Sequence, residues 1–278
     1  MYKIMTAGPT QVRENVRMAR SLETTNPDLD VAFCEFYKET CDLLQELLHS
    51  SGTAYILGGE GILGLEAACA SLTEPGDRVL VLDNGIFGKG FADFAKMYGG
   101  EPVLFTSDYQ KPIDAAELRA FLEKDSDFKY ATVVHCDTPS GVINDVSVIC
   151  PMLAEFGILS VVDSVAGMFG EYVNVDESQI DILCGGSQKA LSAPAGLTML
   201  WVSDKAMAAM ENRKTPIAAF YANILTFKTY YEDKWFPYTM PISDINGLRV
   251  AVDIVKAEPD IVERHAKIAA ATRQAVRK

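Results

Sequence analysis

The chain has 278 residues, 49% apolar and 23% charged, and 38 acidic against 25 basic side chains give a formal net charge of −13. These proportions exclude a disordered tail, a fibrous repeat and a membrane bundle, and no apolar run approaches the ~20 residues that span a bilayer. The acidity argues against a nucleic-acid surface, leaving a globular protein long enough for one large domain, or one and part of another. Residues 31–49 are amphipathic and predict a helix. Strand 53–58 follows. Ile62, Leu65, Cys69 and Leu72 then share one helical face. Strand 79–83 precedes helix 88–98, strand 102–106 precedes helix 114–123, and strand 131–136 precedes helix 147–156. Strands 158–163, 180–184 and 197–202 lead into helices 204–212 and 216–231. A last pair of helices is predicted from Ser243 onward, divided at Glu258-Pro259, with Ile245, Leu248, Val252 and Val255 striping the first.

The run Ile158-Leu159-Ser160-Val161-Val162 is apolar on both faces, as in a parallel strand covered by helices. Strand–helix alternation predicts an α/β domain with right-handed crossovers and a mixed, mostly parallel sheet. The final helical pattern runs out at Lys278 with no strand to pack on. We therefore expect an N-terminal arm over 1–20, a large domain over 21–242, and the start of an incomplete C-terminal domain over 243–278. Met1 to Pro9 lack the apolar core of a signal peptide. The six cysteines form no CxxC pair or metal-ligand spacing and read as reduced, buried thiols. A cytoplasmic protein without a metal centre, a nucleic-acid partner or a membrane partner is expected.

In open α/β sheets, ligands bind beyond the carboxyl ends of the strands, so the residues following each strand carry the chemistry. After 53–58 comes Gly58-Gly59-Glu60-Gly61-Ile62, a glycine-rich turn into a helix N-terminus that offers free N–H groups to an anion. Glu60 places a carboxylate where such an anion would sit. After 79–83, Phe87 lies between glycines at a strand end and can stack on a planar ring. After 131–136 comes His135-Cys136-Asp137-Thr138-Pro139-Ser140-Gly141, where His135 reads as a hydrogen-bonded core residue. Asp163 ends an apolar strand, and a buried carboxylate requires a partner. Lys189 stands in a turn of small and polar residues between two apolar strands. A desolvated lysine there is a nucleophile for carbonyls. An anion-binding helix end, a stacking aromatic, a buried aspartate and an imine-forming lysine are the parts a pyridoxal site needs.

The sequence resembles the fold-type I, class V aminotransferases. It is similar to the alanine–glyoxylate and serine–pyruvate group, and closest to the pyridoxamine–pyruvate type. The segments carrying the resemblance are Thr6-Ala7-Gly8-Pro9, Gly59 to Gly76, Gly85 to Phe91, Asp137 to Gly141, Val162 to Val165, Ser187-Gln188-Lys189, Ala193 to Met199, and Phe236 to Leu248. The resemblance implies that Lys189 forms a Schiff base with pyridoxal 5'-phosphate and shuttles the proton. It implies that Asp163 pairs with the pyridine nitrogen, Val165 packs under the ring, Phe87 stacks on it and Thr138 serves the ring hydroxyl. Glu60, Gly61, Ile62 and Gln188 belong to the phosphate side, with Thr239 from the neighbouring subunit of a homodimer. Ala7 and Gly8 close over the substrate. The implied reaction moves an amino group from a small amine or amino acid to a small 2-oxo acid such as pyruvate or glyoxylate.

Two departures from the family pattern define the alternatives. The family's arginine for the substrate carboxylate belongs to a C-terminal domain of which only the start is expected here. A catalytically incomplete relative is thus a second reading, against which the intact Lys189–Asp163 pair weighs. Glu60 stands where phosphate-binding relatives have serine. The pyridoxamine–pyruvate type also has glutamate there and takes unphosphorylated pyridoxamine or pyridoxal as a substrate, with no bound cofactor. A cysteine desulfurase is disfavoured, because Gln188 stands where that group has histidine.

Overall fold

A computed structural model describes residues 3–277; Met1, Tyr2 and Lys278, at the outer ends of the expected arm and C-terminal segment, lie outside them. The apolar runs form strands β1 (Thr53–Gly58), β2 (Arg78–Asp83), β3 (Glu101–Thr106), β4 (Tyr130–Val134), β5 (Cys136–Asp137), β6 (Val142–Ile143), β7 (Leu159–Asp163), β8 (Ile182–Gly186) and β9 (Leu197–Val202). Seven of these make one sheet in the order β1-β9-β8-β7-β4-β2-β3, and β5 with β6 makes a separate ladder. Strands β2, β3, β4, β7 and β8 run parallel, and β9 is antiparallel to both its neighbours, β1 and β8. Every residue of β4, β8 and β9 is buried, so both faces of the sheet are covered.

The helices are α1 (Glu14–Ala19), α2 (Val31–Leu47), α3 (Gly61–Leu72), α4 (Ile86–Met97), α5 (Ala115–Leu122), α6 (Val146–Glu155), α7 (Asp204–Glu211), α8 (Tyr230–Asp233), α9 (Ile242–Ala257) and α10 (Ile261–Val276). Helix α3 packs on β8 and β9, α4 on β2 and β3, α6 on β7, α2 on β1, and α9 on α1 and α2. Side chains of Asp30, Glu60, Asp114, Asp145 and Ser203 accept backbone N–H groups at helix starts, satisfying donors that have no partner within the helix.

Two expected elements differ. The helix predicted over 216–231 is only a 3-10 turn, Ile224–Phe227, and the single-turn α8. The preceding backbone is committed elsewhere. Lys214 N and Thr215 N both donate to the Glu74 carboxylate at 2.8 Å, Arg213 Nη1 donates to Thr73 O at 2.6 Å and Ser71 O at 3.1 Å, and Pro216 has no N–H to give. The strand predicted over 131–136 stops at Val134. There Asn144 draws the chain aside, its Nδ2 donating to Val134 O at 2.7 Å and its backbone N to His135 O at 2.9 Å.

Both β1 and β8 run opposite to β9, so both point the same way as β2, β4 and β7. Gly58, Asp83, Val134, Asp163 and Gly186 therefore end five strands on one edge of the sheet, and the segments singled out from sequence all leave from that edge.

Candidate active site

Among the described residues, a cavity of about 150 Å³ is lined by Glu60, Ile62, Phe87, Thr138, Asp163, Val165 and Lys189, together with Leu65, Cys136 and Ala166. The first seven were expected from sequence. The last three carried no separate signal, since Leu65 and Cys136 read as core positions. No arginine and no second lysine lines this cavity. A wider cavity of about 660 Å³ adjoins His135, Asp145, Glu171 and Glu177; carboxylates but no described amine line it, so of the two cavities the smaller one offers a nucleophile for a carbonyl. No described cluster of His, Cys, Asp or Glu could hold a metal ion.

Asp163 is 6% exposed at the end of β7. Its Oδ1 accepts the Val165 N–H at 2.9 Å, and Oδ2 has no partner among the described residues. Burial pushes the carboxyl up to about 6; the Val165 N–H and Lys189 oppose the rise, while Glu60 and Asp137 add to it. Behind it, His135 is 3% exposed. His135 donates its backbone N–H to Asp163 O at 2.8 Å, and its Nδ1 lies 3.0 Å from Ser164 Oγ. Burial lowers the imidazole to about 4, so it is a neutral core group, as the sequence predicts.

Lys189 is half-buried in the turn from β8 to β9. Its Nζ makes no ion pair or hydrogen bond among the described residues, and Gly8 packs directly on its side chain. A Cβ at Gly8 would come within 2.6 Å of Nζ. Phe87, 39% exposed, sits at the first turn of α4.

The N-terminus of α3 is closed by the protein itself. Glu60 Oε2 accepts the Ile62 N–H at 2.9 Å, and Gln188 Nε2 donates to Glu60 Oε1. Gln188 Oε1 is buried without a partner. Gly61 allows α3 to approach the loop that follows β7, because a Cβ there would stand 2.8 Å from Val165 Cγ2.

Gly61 and Gln188 thus lie behind the cavity wall rather than in it, and Gly8 reaches the site through Lys189. Ala7 and Thr239 are exposed and do not line the cavity, Thr239 Oγ1 donating to Asp28 at 3.0 Å. Asp137, noted in sequence within the segment Asp137 to Gly141 but given no role, is 1% exposed. Its Oδ2 accepts from Ser140 Oγ at 2.7 Å, while Oδ1 lies unpartnered beneath Gly85.

Comparison with known proteins places this site in context. Residues 25–278 match the family described as aminotransferase class-V. The chain is 37% identical over 275 residues to the pyridoxamine–pyruvate transaminase of Mesorhizobium japonicum, covering 98% of this chain and 70% of that protein. The crystal structure of pyridoxamine–pyruvate aminotransferase from Mesorhizobium loti superposes with a TM-score of 0.92 at 35% identity, over 98% of this chain and 70% of that one. That of ureidoglycine–glyoxylate aminotransferase from Bacillus subtilis superposes equally well, TM-score 0.92, at 29% identity over 95% and 69%.

Proposed function

The chain belongs to the class V aminotransferase family, and we propose that it moves an amino group from a small amine to a small 2-oxo acid of the pyruvate or glyoxylate kind. The observation that carries this reading is the meeting of one amine, Lys189, and one buried carboxyl, Asp163, in a single cavity beside an aromatic ring. A pyridoxal ring fits those groups. The unpartnered Asp163 Oδ2 suits a protonated ring nitrogen, Phe87 and Val165 offer apolar contact, Thr138 offers a hydroxyl, and Lys189 Nζ is free for the aldehyde.

When bound, the ring supplies an electron sink for the substrate carbon, which no side chain provides. The chain's own residues do the rest. Lys189 Nζ would hold the ring's aldehyde carbon until a substrate amine displaces it, and the freed amine would then carry the proton between the two carbons that flank the substrate nitrogen. Asp163 would accept the ring nitrogen's N–H, and the ion pair formed would offset the cost of burying the carboxylate and favour the positive charge on the ring. The Val165 N–H fixes the direction of Oδ1, and the apolar wall excludes water.

Pyridoxal 5'-phosphate is the family's usual form of the ring. The position of Glu60 favours a second reading, in which unphosphorylated pyridoxamine is the amino donor. A phosphate at the α3 N-terminus would meet a carboxylate already holding the Ile62 N–H, with like-charge repulsion of about 1 kcal/mol at 4 Å in water and more where solvent is excluded. A neutral hydroxymethyl group would instead donate to it. Paired dissociation constants for pyridoxal and its phosphate, on the parent and on Glu60→Ser, decide between them. A parent that prefers pyridoxal and a mutant that prefers the phosphate support the pyridoxamine reading. A parent that already prefers the phosphate, with the ratio unchanged in the mutant, leaves the phosphate-bearing reading. Absence of any visible absorption band bleached by borohydride after pyridoxal or its phosphate is added would refute both.

A homodimer with shared sites belongs to the same proposal. Ile62 and Phe87 in the cavity wall and Ile86 beside them are solvent-exposed, and Thr239 lies exposed outside its own chain's cavity, where a second copy could reach it. Sedimentation of the purified chain tests it. Six free cysteines, five of them buried, fit a reducing cytoplasm, and no described helix is long and apolar enough to cross a membrane.

A further inference from the structure

The turn that carries Lys189 does not satisfy its own backbone. Ser187 Oγ donates to Pro194 O at 2.6 Å, Ala193 N to Ser187 O at 2.9 Å, and Ser192 N to Lys189 O at 2.9 Å. The carbonyl of Gln188 receives nothing from within the turn. Its donor is Thr10, far away in sequence, whose N–H reaches Gln188 O at 2.9 Å and whose hydroxyl reaches Lys189 O at 2.7 Å and Gln188 O at 3.2 Å. These two carbonyls flank the Lys189 Cα.

Two residues before Thr10, Gly8 lies on the aliphatic part of the same lysine, where a Cβ would come within 2.8 Å of Cε. The segment is folded on itself at one end and anchored to the body of the chain at the other. Thr6 Oγ1 donates to Pro9 O at 2.9 Å, and Arg13 pairs with Glu258 at 3.0 Å. Among the described residues, Thr10 is the only point at which this strap hydrogen-bonds the lysine turn.

We propose that Thr10 is a positioning residue for Lys189. It fastens the N-terminal strap across the carbonyls on either side of the lysine's Cα, which holds the backbone still and presses Gly8 against the side chain, so that Nζ stays in the cavity. The proposal rests on the transaminase reading of Lys189. Thr10 is half-buried, and water can replace its hydroxyl at the two carbonyls. Losing that hydroxyl therefore loosens the lysine without unfolding the chain.

The test is reductive coupling of pyridoxal to the cofactor-free full chain with cyanoborohydride. The rate of incorporation at Lys189 is followed by peptide mass spectrometry from pH 6 to 9, alongside circular dichroism. Thr10→Val keeps the shape and the N–H but removes the hydroxyl, and Thr10→Ser restores it. Thr10→Val should slow coupling at Lys189 about three- to tenfold, the range one net hydrogen bond supports, with the other lysines labelled as before. Thr10→Ser should lie within about twofold of the parent. Coupling of Thr10→Val at the parent rate, failure of Thr10→Ser to restore it, or loss of the fold in Thr10→Val would each overturn the proposal. A parent that is not labelled at Lys189 at all would instead overturn the reading of that lysine as the pyridoxal-holding group.

Discussion

Glu60 and Gln188 stand 128 residues apart in sequence and meet side chain to side chain, the amide nitrogen of Gln188 donating to the carboxylate that caps α3. The contact ties the start of α3 to the lysine turn, and the amide brings no opposite charge to the carboxylate at the positive end of the helix. Capping and ligand selection are then separable at Glu60. Glu60→Ala should cost about 1 kcal/mol in urea unfolding, whereas Glu60→Ser, a good cap, should cost a few tenths. Equal losses would mean that the Gln188 contact, and not the cap, stabilises this corner.

Lys189→Ala should lower steady-state transamination by several orders of magnitude, since no other amine among the described residues lines the cavity. Lys189 forms no ion pair among the described residues, so the melting temperature should stay near that of the parent. Retention of more than about a tenth of the rate would refute the assignment.

Asp163→Asn should stabilise the cofactor-free protein at neutral pH while impairing catalysis. Burial raises the carboxyl from 3.8 to about 6. Between those values the folded chain keeps a proton that the unfolded chain has lost, so stability falls as pH rises through that window, and the deficit persists above it. Asparagine has no charge to bury and its Oδ1 can still accept the Val165 N–H. The mutant's advantage should grow from near zero at pH 4 to at most about 3 kcal/mol at pH 7.5, measured by denaturant titration. A constant difference across pH would show that the carboxyl titrates normally.

His135 carries the opposite slope. Burial lowers its imidazole from 6.5 to about 4, so the unfolded chain takes up a proton that the folded chain refuses. Stability is therefore lost as pH falls from 6.5 toward 4. His135→Asn, which can keep a polar atom near Ser164 Oγ, should flatten that decline whatever its overall cost. An unchanged slope would place the acid sensitivity elsewhere.

Gly61→Ala should destabilise by about 1–3 kcal/mol, because its Cβ would meet Val165 Cγ2 at 2.8 Å. Adding Val165→Ala removes the obstructing methyl groups. The double mutant should then lose less than the sum of the two single mutants. Additive losses in a double-mutant cycle would mean that the two residues do not clash.

The parts of this site were legible in sequence because each is a local signal. Asp163 ends a wholly apolar run, Glu60 and Gly61 stand between a strand and a helical stripe, and Lys189 sits alone in a turn of small and polar residues. Strand periodicity and the rule that ligands bind beyond strand ends then suffice to gather them on one edge. The failed helix over 216–231 marks the limit of that logic. Its periodicity is genuine, but the residues just before it, Arg213, Lys214 and Thr215, are drawn to Glu74 and to the Ser71 and Thr73 carbonyls, all distant in sequence, and leave the chain at Pro216 with no helical start.

Composition and pattern alone point to the α/β class, draw attention to the residues beyond the strand ends and single out Lys189 and Asp163 as candidates, because each signal depends on neighbours within a few residues. Tertiary structure alone decides how the charges and donors are shared. Thr10 reaching the Lys189 turn, Gln188 reaching Glu60, and Asp137 buried with an unpartnered oxygen beneath Gly85 arise only when separate strands bring their ends together. Hydrogen bonds and desolvation act over a few ångströms in space, and the order of residues along the chain does not encode that distance.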